Sequence, residues 1–89
     1  PAAIEEILRF EPPGPSVARY VAKDVEVLGQ VVPAGSVMLN LIASANRDES
    51  RFTDPELFNI HRRDPPHMTF GRGIHSCLGM ALARVEVAP

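Results

Sequence analysis

The most informative segment of this chain is Phe70-Gly71-Arg72-Gly73-Ile74-His75-Ser76-Cys77-Leu78-Gly79, which contains three glycines, one histidine and the only cysteine. Glycine tolerates positive φ angles and close backbone approach, so a loop with this glycine spacing can turn its amide N–H groups toward one central atom. The sulfur of Cys77 is the natural centre. The pattern therefore indicates a binding loop built around a cysteine.

A helix is predicted directly after this loop, because Met80-Ala81-Leu82-Ala83-Arg84-Val85-Glu86 is rich in strong helix formers. The partial positive charge at its N-terminus would favour a thiolate at Cys77. With a single cysteine, an internal disulfide and a CxxC zinc site are excluded. Three interpretations of Cys77 remain: a thiol buried as a small hydrophobe, a reactive thiol, or a ligand.

The chain upstream of the loop alternates between regular and irregular segments. From Ala2 to Phe10, the spacing of Ile4, Ile7 and Leu8 predicts a helix with one apolar face, and two prolines follow it. Residues 17–42 are rich in valine and are punctuated by glycine and proline, which predicts two or more antiparallel strands. Residues 43–46 are compatible with a helical turn.

Residues 47–68 carry prolines and many charges without any sustained periodicity, which predicts a long irregular loop at the surface. Structureless connections are usually no longer than about 12 to 15 residues. We therefore expect this loop to be functional or to be held in place by partners outside this chain.

Composition is that of a small globular unit, with 45% hydrophobic and 22% charged residues and a formal net charge of -2. Neither sign of charge forms a long run, so nucleic acid is not an expected partner. No apolar stretch reaches the roughly 20 residues of a membrane-spanning helix. The first residue is not a methionine and the last follows a helical pattern, so we expect the chain to be a fragment.

The segment FGRGIHSCLG resembles the haem-binding loop of cytochrome P450, F-G-x-G-x-H-x-C-x-G, at every specified position. The resemblance implies that Cys77 is the axial thiolate ligand of the haem iron. It also implies that His75 reaches a haem propionate and that Phe70 forms part of an apolar wall around the sulfur. Gly71, Gly73 and Gly79 would complete the cofactor-binding loop.

Two further segments are similar to motifs of the same family. Glu6 and Arg9 match the E-x-x-R motif of its K helix, although from spacing alone Glu5 and Arg9 are an equally plausible pair. Residues 52–62 are similar to the family's meander segment, so Arg62 would complete an ion network with Glu6 and Arg9. The implied role is structural support of the haem site.

Other positions carry weaker expectations. Arg19 falls where many bacterial members have an arginine that contacts a propionate, and it would otherwise be an exposed strand residue. Pro15, Ser16 and Val17 correspond to a segment that lines the substrate pocket. Two departures from the family pattern, Asn59 in place of aspartate and Glu49 in place of proline, are expected to loosen the meander. Arg72 faces either solvent or the docking surface of the electron donor. We expect His61 and His67 to be surface or loop-bracing residues rather than metal ligands.

The resemblance implies a mainly α fold with a small antiparallel β-sheet, namely the C-terminal part of the cytochrome P450 fold in one partial domain covering residues 1–89. Its parts would be the K helix (2–11), a β region (17–42), the meander (47–68), the haem-thiolate loop (70–79) and the start of the L helix (78–88).

The implied function is monooxygenation by the full-length protein, in which haem b (iron protoporphyrin IX) uses O2 to oxidise an organic, hydrophobic substrate. Electrons would come from NAD(P)H through a ferredoxin and its reductase, and the location would be cytoplasmic, as in soluble bacterial members. Two alternatives are a peroxide-dependent peroxygenase and a non-catalytic haem-binding fragment. Without the oxygen-activation helix, the fragment alone is expected to be inactive.

Overall fold

Helix α1, Ala2–Phe10, is the first element in the computed structural model, which describes residues 2–89. The Glu11 N–H donates to Ile7 O at 2.8 Å and closes the last turn, just before the two prolines. The predicted helix is therefore present and ends one residue before the expected position 11. The prediction of one buried apolar face is wrong in part. Ile4 is buried, but Ile7 is 48% exposed.

Within the described residues, four short antiparallel strands follow. They are β1 (Val17–Tyr20), β2 (Val25–Val27), β3 (Gln30–Val32) and β4 (Val37–Asn40). Strand β1 pairs with β4 and β2 pairs with β3, so the small sheet expected from the sequence is two nested hairpins. The chain bends at Ala22 and Lys23, which separates the inner ladder from the outer one. The inner hairpin turns at Leu28 and Gly29, both with positive φ, as a tight two-residue turn requires.

The rest of the chain is mostly irregular. Helix α2, Ile42–Ala45, is a single turn, and residues 46–72 contain no helix or strand, as predicted for the long loop. A 3₁₀ turn spans Gly73–His75, and helix α3, Met80–Val87, completes the described chain. Ile4 of α1 and Val85 of α3 line one small cavity, which shows that these two helices are neighbours.

The buried interior of residues 2–89 is small and half polar. Its apolar members are Ile4, Val21 and Phe52, and its polar members are Glu6, Arg9 and Asn46. Buried charges and amides are stable only when they are paired or hydrogen-bonded. The centre of the fold is thus a polar network between α1 and the irregular segment. The fold class expected from the sequence, helices with small antiparallel sheets, is confirmed.

Candidate functional site

The cysteine loop, residues 70–79, is shaped by two glycines in the left-handed region. Gly71 has φ of 67° and Gly73 has φ of 70°, conformations that side chains with a Cβ rarely adopt. The Gly71 N–H donates to Met68 O at 2.9 Å, and the Cys77 N–H donates back to Phe70 O at 2.8 Å. These two bonds close the loop and bring Cys77 next to its beginning.

Gly79 behaves differently from the other two loop glycines. It caps α3 with φ of -81°, which any residue can adopt. A Cβ placed on Gly79 would lie 3.9 Å from Cys77 Sγ, at ordinary van der Waals distance. No hydrogen bond to Cys77 Sγ occurs within residues 2–89, and the amide N–H of Cys77 itself donates to Phe70 O. The curl of amides toward the sulfur expected from the sequence is therefore not formed by these contacts.

Cys77 is an exposed free cysteine. Residues 2–89 alone therefore do not bury this cysteine as a small hydrophobe. Its neighbours Ile74 and Leu78 are almost fully exposed as well, at 97% and 104%. A thiol flanked by uncovered apolar side chains lies on a surface that is suited to contact with an apolar group.

A groove of about 610 Å³ opens beside Cys77, a volume in the range of small-molecule sites. Its lining residues are Val17, Arg19, Asn40, Leu41, Ile42, Ala45, Met68, Thr69, Phe70, Gly71, Arg72, His75 and Cys77. The groove therefore brings together the cysteine loop, the outer hairpin and α2.

Of the seven cofactor-binding residues expected from the sequence, five line this groove: Cys77, His75, Arg19, Phe70 and Gly71. Gly73 and Gly79 do not line it, and of these two only Gly73 has a positive φ. Of the substrate-pocket candidates, Val17 lines the groove, whereas Pro15 and Ser16 are exposed outside it. These two residues precede β1 and lie beyond the end of the groove wall.

Arg19 and His75, the two groove residues expected to bind propionates, are exposed. The Arg19 guanidinium donates only to Ala18 O, at 3.1 Å, among the described residues. His75 is exposed and lies at the end of the 3₁₀ turn. Arg72 donates to Pro66 O at 3.1 Å, so the loop holds its side chain at the groove edge. The site thus carries a thiol and basic groups along an apolar groove.

A buried ion network lies behind the cysteine loop. Arg9 donates twice to Glu6, from Nε to Oε2 and from Nη2 to Oε1, both at 2.8 Å. Arg62 Nε donates to Glu6 Oε1 at 3.3 Å, and the Asn59 N–H donates to the same oxygen at 2.8 Å. Burial alone would raise the pKa of Glu6, but these hydrogen bonds from Arg9, Asn59 and Arg62 lower it from 4.5 to about 2.

The same two arginines hold the irregular segment by its backbone. Arg9 Nη1 donates to Asn46 O and Pro55 O, both at 2.9 Å. Arg62 donates to the carbonyls of Thr53, Asp54 and Leu57. Each guanidinium offers five N–H donors, so a few side chains can satisfy many loop carbonyls. This explains how a segment without regular hydrogen bonding is ordered from within the chain.

Glu5 does not pair with Arg9, so that alternative is wrong. It accepts two hydrogen bonds from Arg84 of α3, at 2.6 and 2.9 Å, and contacts His67 Nε2 at 3.1 Å. Hydrogen bonding by Arg84 has the largest influence on the pKa of Glu5 and lowers it. Burial lowers the pKa of His67, against the opposite influence of Glu5. His67 braces α1 against the loop, whereas His61 is exposed.

Asn59 retains the local role that an aspartate would have. Its Oδ1 accepts the His61 N–H at 2.9 Å, and its carbonyl accepts the Arg62 N–H at 3.2 Å. The amide oxygen of Asn59 thus accepts a local hydrogen bond of the kind that a carboxylate oxygen also accepts, and the expected loosening stays a prediction. Glu49, the other departure, is exposed.

Asn46 is a buried residue that the sequence analysis does not identify as part of the site. Its exposed fraction is 0%, and it contacts both α1 and the residues that precede the cysteine loop. Its only sequence signal is a polar residue directly after a predicted helical turn. That signal is common at helix ends and does not indicate burial.

Two kinds of feature are absent from the described residues. No group of three or more His, Cys, Asp or Glu side chains in residues 2–89 is placed to hold a metal ion. No helix in the same range has the length and apolar character needed to span a membrane.

Comparison with known proteins gives consistent matches. The family model for Cytochrome P450 matches residues 1–88. The chain is 48% identical over 86 residues to "Putative cytochrome P450 YjiB" of Bacillus subtilis (strain 168), covering 97% of the chain and 22% of that protein. It is 47% identical over 89 residues to "Nocardicin C N-oxygenase" of Nocardia uniformis subsp. tsuyamanensis, covering 98% of the chain and 22% of that protein.

A solved structure has the same backbone arrangement. The crystal structure of CYP109E1 from Bacillus megaterium in complex with testosterone matches with a TM-score of 0.90 and 46% identity. The match covers 96% of the chain and 24% of that structure. The chain thus spans about a fifth of the length of the curated relatives it matches.

Proposed function

The chain belongs to the cytochrome P450 family, and we propose that it forms the haem-thiolate part of a monooxygenase in which Cys77 is the axial ligand of the haem iron. One observation carries the proposal. The only cysteine of the chain is exposed in an apolar groove, on a loop whose positive-φ glycines bend it back on itself.

The residues of the groove fit a haem by their chemistry. A haem is a flat apolar ring with two anionic propionates, and it needs an apolar wall, a ligand and cations at one edge. Leu41, Ile42 and Phe70 offer the apolar wall, and Arg19 and His75 offer the basic groups. The exposed side chains of Ile74 and Leu78 beside the sulfur are also consistent with a surface that a cofactor covers.

Each group has a proposed task in the loaded protein. Cys77 Sγ binds the iron, while Phe70 shields the sulfur from water. Arg19 and His75 bind the propionates, for which the free guanidinium donors of Arg19 are suited. Gly71 and Gly73 shape the loop, and Glu6, Arg9 and Arg62 brace the segment behind it. Val17, at the groove wall, contacts the substrate side.

The activity proposed for the full-length protein is insertion of one oxygen atom from O2 into an organic, hydrophobic substrate, a reaction whose oxygen chemistry the haem supplies. Relatives named as an N-oxygenase and crystallised with testosterone support both the reaction class and an apolar substrate. We propose that electrons from NAD(P)H arrive through a ferredoxin and its reductase, and that the protein is cytoplasmic, as the resemblance to bacterial members implies.

The proposal is tested by changing the ligand in the full-length protein. We expect Cys77→Ala to abolish the thiolate-type absorption of the reduced carbon monoxide complex, whereas Cys77→Ser retains haem only weakly. Ser76→Ala is the matched control, because no hydrogen bond of the Ser76 hydroxyl occurs within residues 2–89, and it should keep the spectrum. Thiolate-type absorption in Cys77→Ala would refute the assignment.

A further inference from the structure

Asn46 connects the end of α2 with the residues that precede the cysteine loop. Its Oδ1 accepts the Met68 N–H at 2.7 Å, and its Nδ2 donates to Thr69 Oγ1 at 3.0 Å. Because a backbone N–H can only donate, the orientation of the Asn46 amide is fixed by its partners. Both ends of the side chain are thus used, in a position with no exposed surface.

The two partners of the Asn46 side chain, Met68 and Thr69, directly precede the cysteine loop. Met68 O accepts the Gly71 N–H at 2.9 Å, which closes the turn that leads into the loop. Phe70, inside that turn, accepts the Cys77 N–H through its carbonyl at 2.8 Å. Three hydrogen bonds, at Met68, Gly71 and Cys77, therefore link the Asn46 amide to the backbone of Cys77 through the turn.

This turn is anchored to α1 as well. Thr69 Oγ1 donates to Leu8 O at 2.7 Å, and Arg9 Nη1 donates to Asn46 O at 2.9 Å. The backbone of Asn46 is held in turn by α2, because its N–H donates to Ile42 O at 2.9 Å. Ile42 and Met68 both line the groove, so Asn46 is hydrogen-bonded to two of the segments that form its walls.

We propose that Asn46 is a positioning residue for Cys77: its amide fixes the turn at residues 68–71 and thereby sets where the sulfur stands in the groove. The inference deepens the proposed function and rests on it, since the sulfur matters only as a haem ligand.

Position 46 requires a side chain with a hydrogen-bond acceptor on one branch, for the Met68 N–H, and a donor on the other, for Thr69 Oγ1. An aspartate would keep the acceptor for Met68 but would direct a second oxygen at the Thr69 hydroxyl, whose proton is already committed to Leu8 O. A leucine has a similar volume but leaves the Met68 N–H without a partner in a buried place. Either substitution should free the turn, and the loop that it begins.

The experiment uses the full-length protein loaded with haem and compares Asn46→Asp, Asn46→Leu and Thr69→Val with the wild type. We expect the thiolate-type fraction of the reduced carbon monoxide complex to fall at least twofold, and haem to be lost roughly tenfold faster, as when groups supporting a metal ligand are removed. Thr69→Ser keeps the hydroxyl and should restore both values to those of the wild type.

Val21→Ala is the matched control for stability. Val21 is buried in the outer hairpin and is absent from the groove and from the network of Asn46, so this variant should lower the melting temperature without changing the thiolate fraction. All spectra are recorded well below the melting temperature of the least stable variant. Thr69→Val is the milder change. If Asn46→Leu does not load haem, the thiolate fraction and the haem-loss rate of Thr69→Val test the inference.

Three outcomes are decisive. A wild-type thiolate fraction and haem-loss rate in Asn46→Asp and Thr69→Val would overturn the inference while Cys77→Ala still supports the proposed function. The same loss in Val21→Ala as in Asn46→Asp would also overturn it, because stability alone would then explain the effect. A wild-type protein without thiolate-type absorption would overturn the proposed function, and this inference with it.

Discussion

At the scale of single residues, Glu6 shows how a carboxylate can remain charged inside a small fold. With only 4% of its surface exposed, desolvation favours the neutral acid, and an isolated group there would be protonated more easily. Donors from Arg9, Arg62 and the Asn59 backbone reverse that preference, and the pKa falls to about 2. The carboxylate is therefore a contributor to stability whose effect depends on pH.

We predict that Glu6→Gln in the full-length protein lowers the free energy of unfolding at pH 7 by roughly 3 kcal/mol, the equivalent of the pKa difference from 4.5 to about 2. A depressed carboxylate pKa stabilises the folded state fully above 4.5, and the stabilisation disappears as pH falls toward 2. The difference between variant and wild type should therefore shrink below about pH 4.5. Urea unfolding between pH 7 and pH 3 measures it.

Glu5→Gln is the control, because Glu5 is the adjacent carboxylate on the same helix and is also paired with an arginine. Its side chain is 40% exposed, so solvent screens the pair and we expect a loss of no more than about 1 kcal/mol. Two outcomes would contradict the claim that burial makes the Glu6 carboxylate important for stability. One is an equal loss of unfolding free energy in the two variants, and the other is a loss in Glu6→Gln that does not change with pH.

At the scale of elements, the cysteine loop separates glycines that the sequence treats alike. Gly71 combines a φ of 67° with a Cβ position only 3.4 Å from His75 O, whereas Gly79 has an ordinary φ and meets only Cys77 Sγ at 3.9 Å. The first position disfavours a side chain mainly by its conformation, since a Cβ there would make only a close contact with His75 O. The second tolerates one.

We predict that Gly71→Ala lowers the stability of the haem-loaded protein by about 1 to 2 kcal/mol, the strain of a left-handed residue, and accelerates haem loss. Gly79→Ala should change stability by less than about 0.5 kcal/mol. Thermal unfolding and transfer of haem to an acceptor protein measure the two effects. An effect of Gly79→Ala as large as that of Gly71→Ala would contradict the geometry of the loop.

The elements themselves could be predicted wherever local sequence determines them. Helix α1 follows from its periodicity and from the two prolines after it, and the hairpins follow from valines separated by Gly29 and by Gly35. The addition of Arg62 to Glu6 and Arg9 is expected only from the family resemblance, because an ion pair between residues more than 50 positions apart leaves no local signal.

The remaining features depend on tertiary contacts that no sequence period encodes. The burial of Asn46 and the bridge from Glu5 to Arg84 both join segments far apart in the chain. The exposure of Ile7 is of the same kind, since a helix with apolar residues at several positions does not show which of them the rest of this chain covers. At these positions tertiary packing, and not local propensity, determines the structure.

At the scale of the whole molecule, the chain exposes more surface than a compact folded monomer of the same length. A folded monomer of 89 residues exposes about 5,100 Å², whereas this chain exposes 6782 Å². Its radius of gyration is 15.1 Å, against about 12 Å for a compact domain of this length. Its dimensions of 45 × 29 × 17 Å describe a flat body, in which a large fraction of apolar side chains reaches the surface.

We predict that a polypeptide of these 89 residues, made alone and without haem, has a free energy of unfolding below about 3 kcal/mol. Its apolar interior contains Ile4, Val21 and Phe52, while Ile74, Leu78 and other large apolar side chains are exposed, so little hydrophobic burial opposes the chain entropy. Calorimetry should give a weak, broad transition, and a hydrophobic dye should bind at room temperature. A cooperative transition at high temperature without dye binding would contradict this prediction and would mean that the polar network around Glu6, Arg9 and Asn46 stabilises the fold by itself.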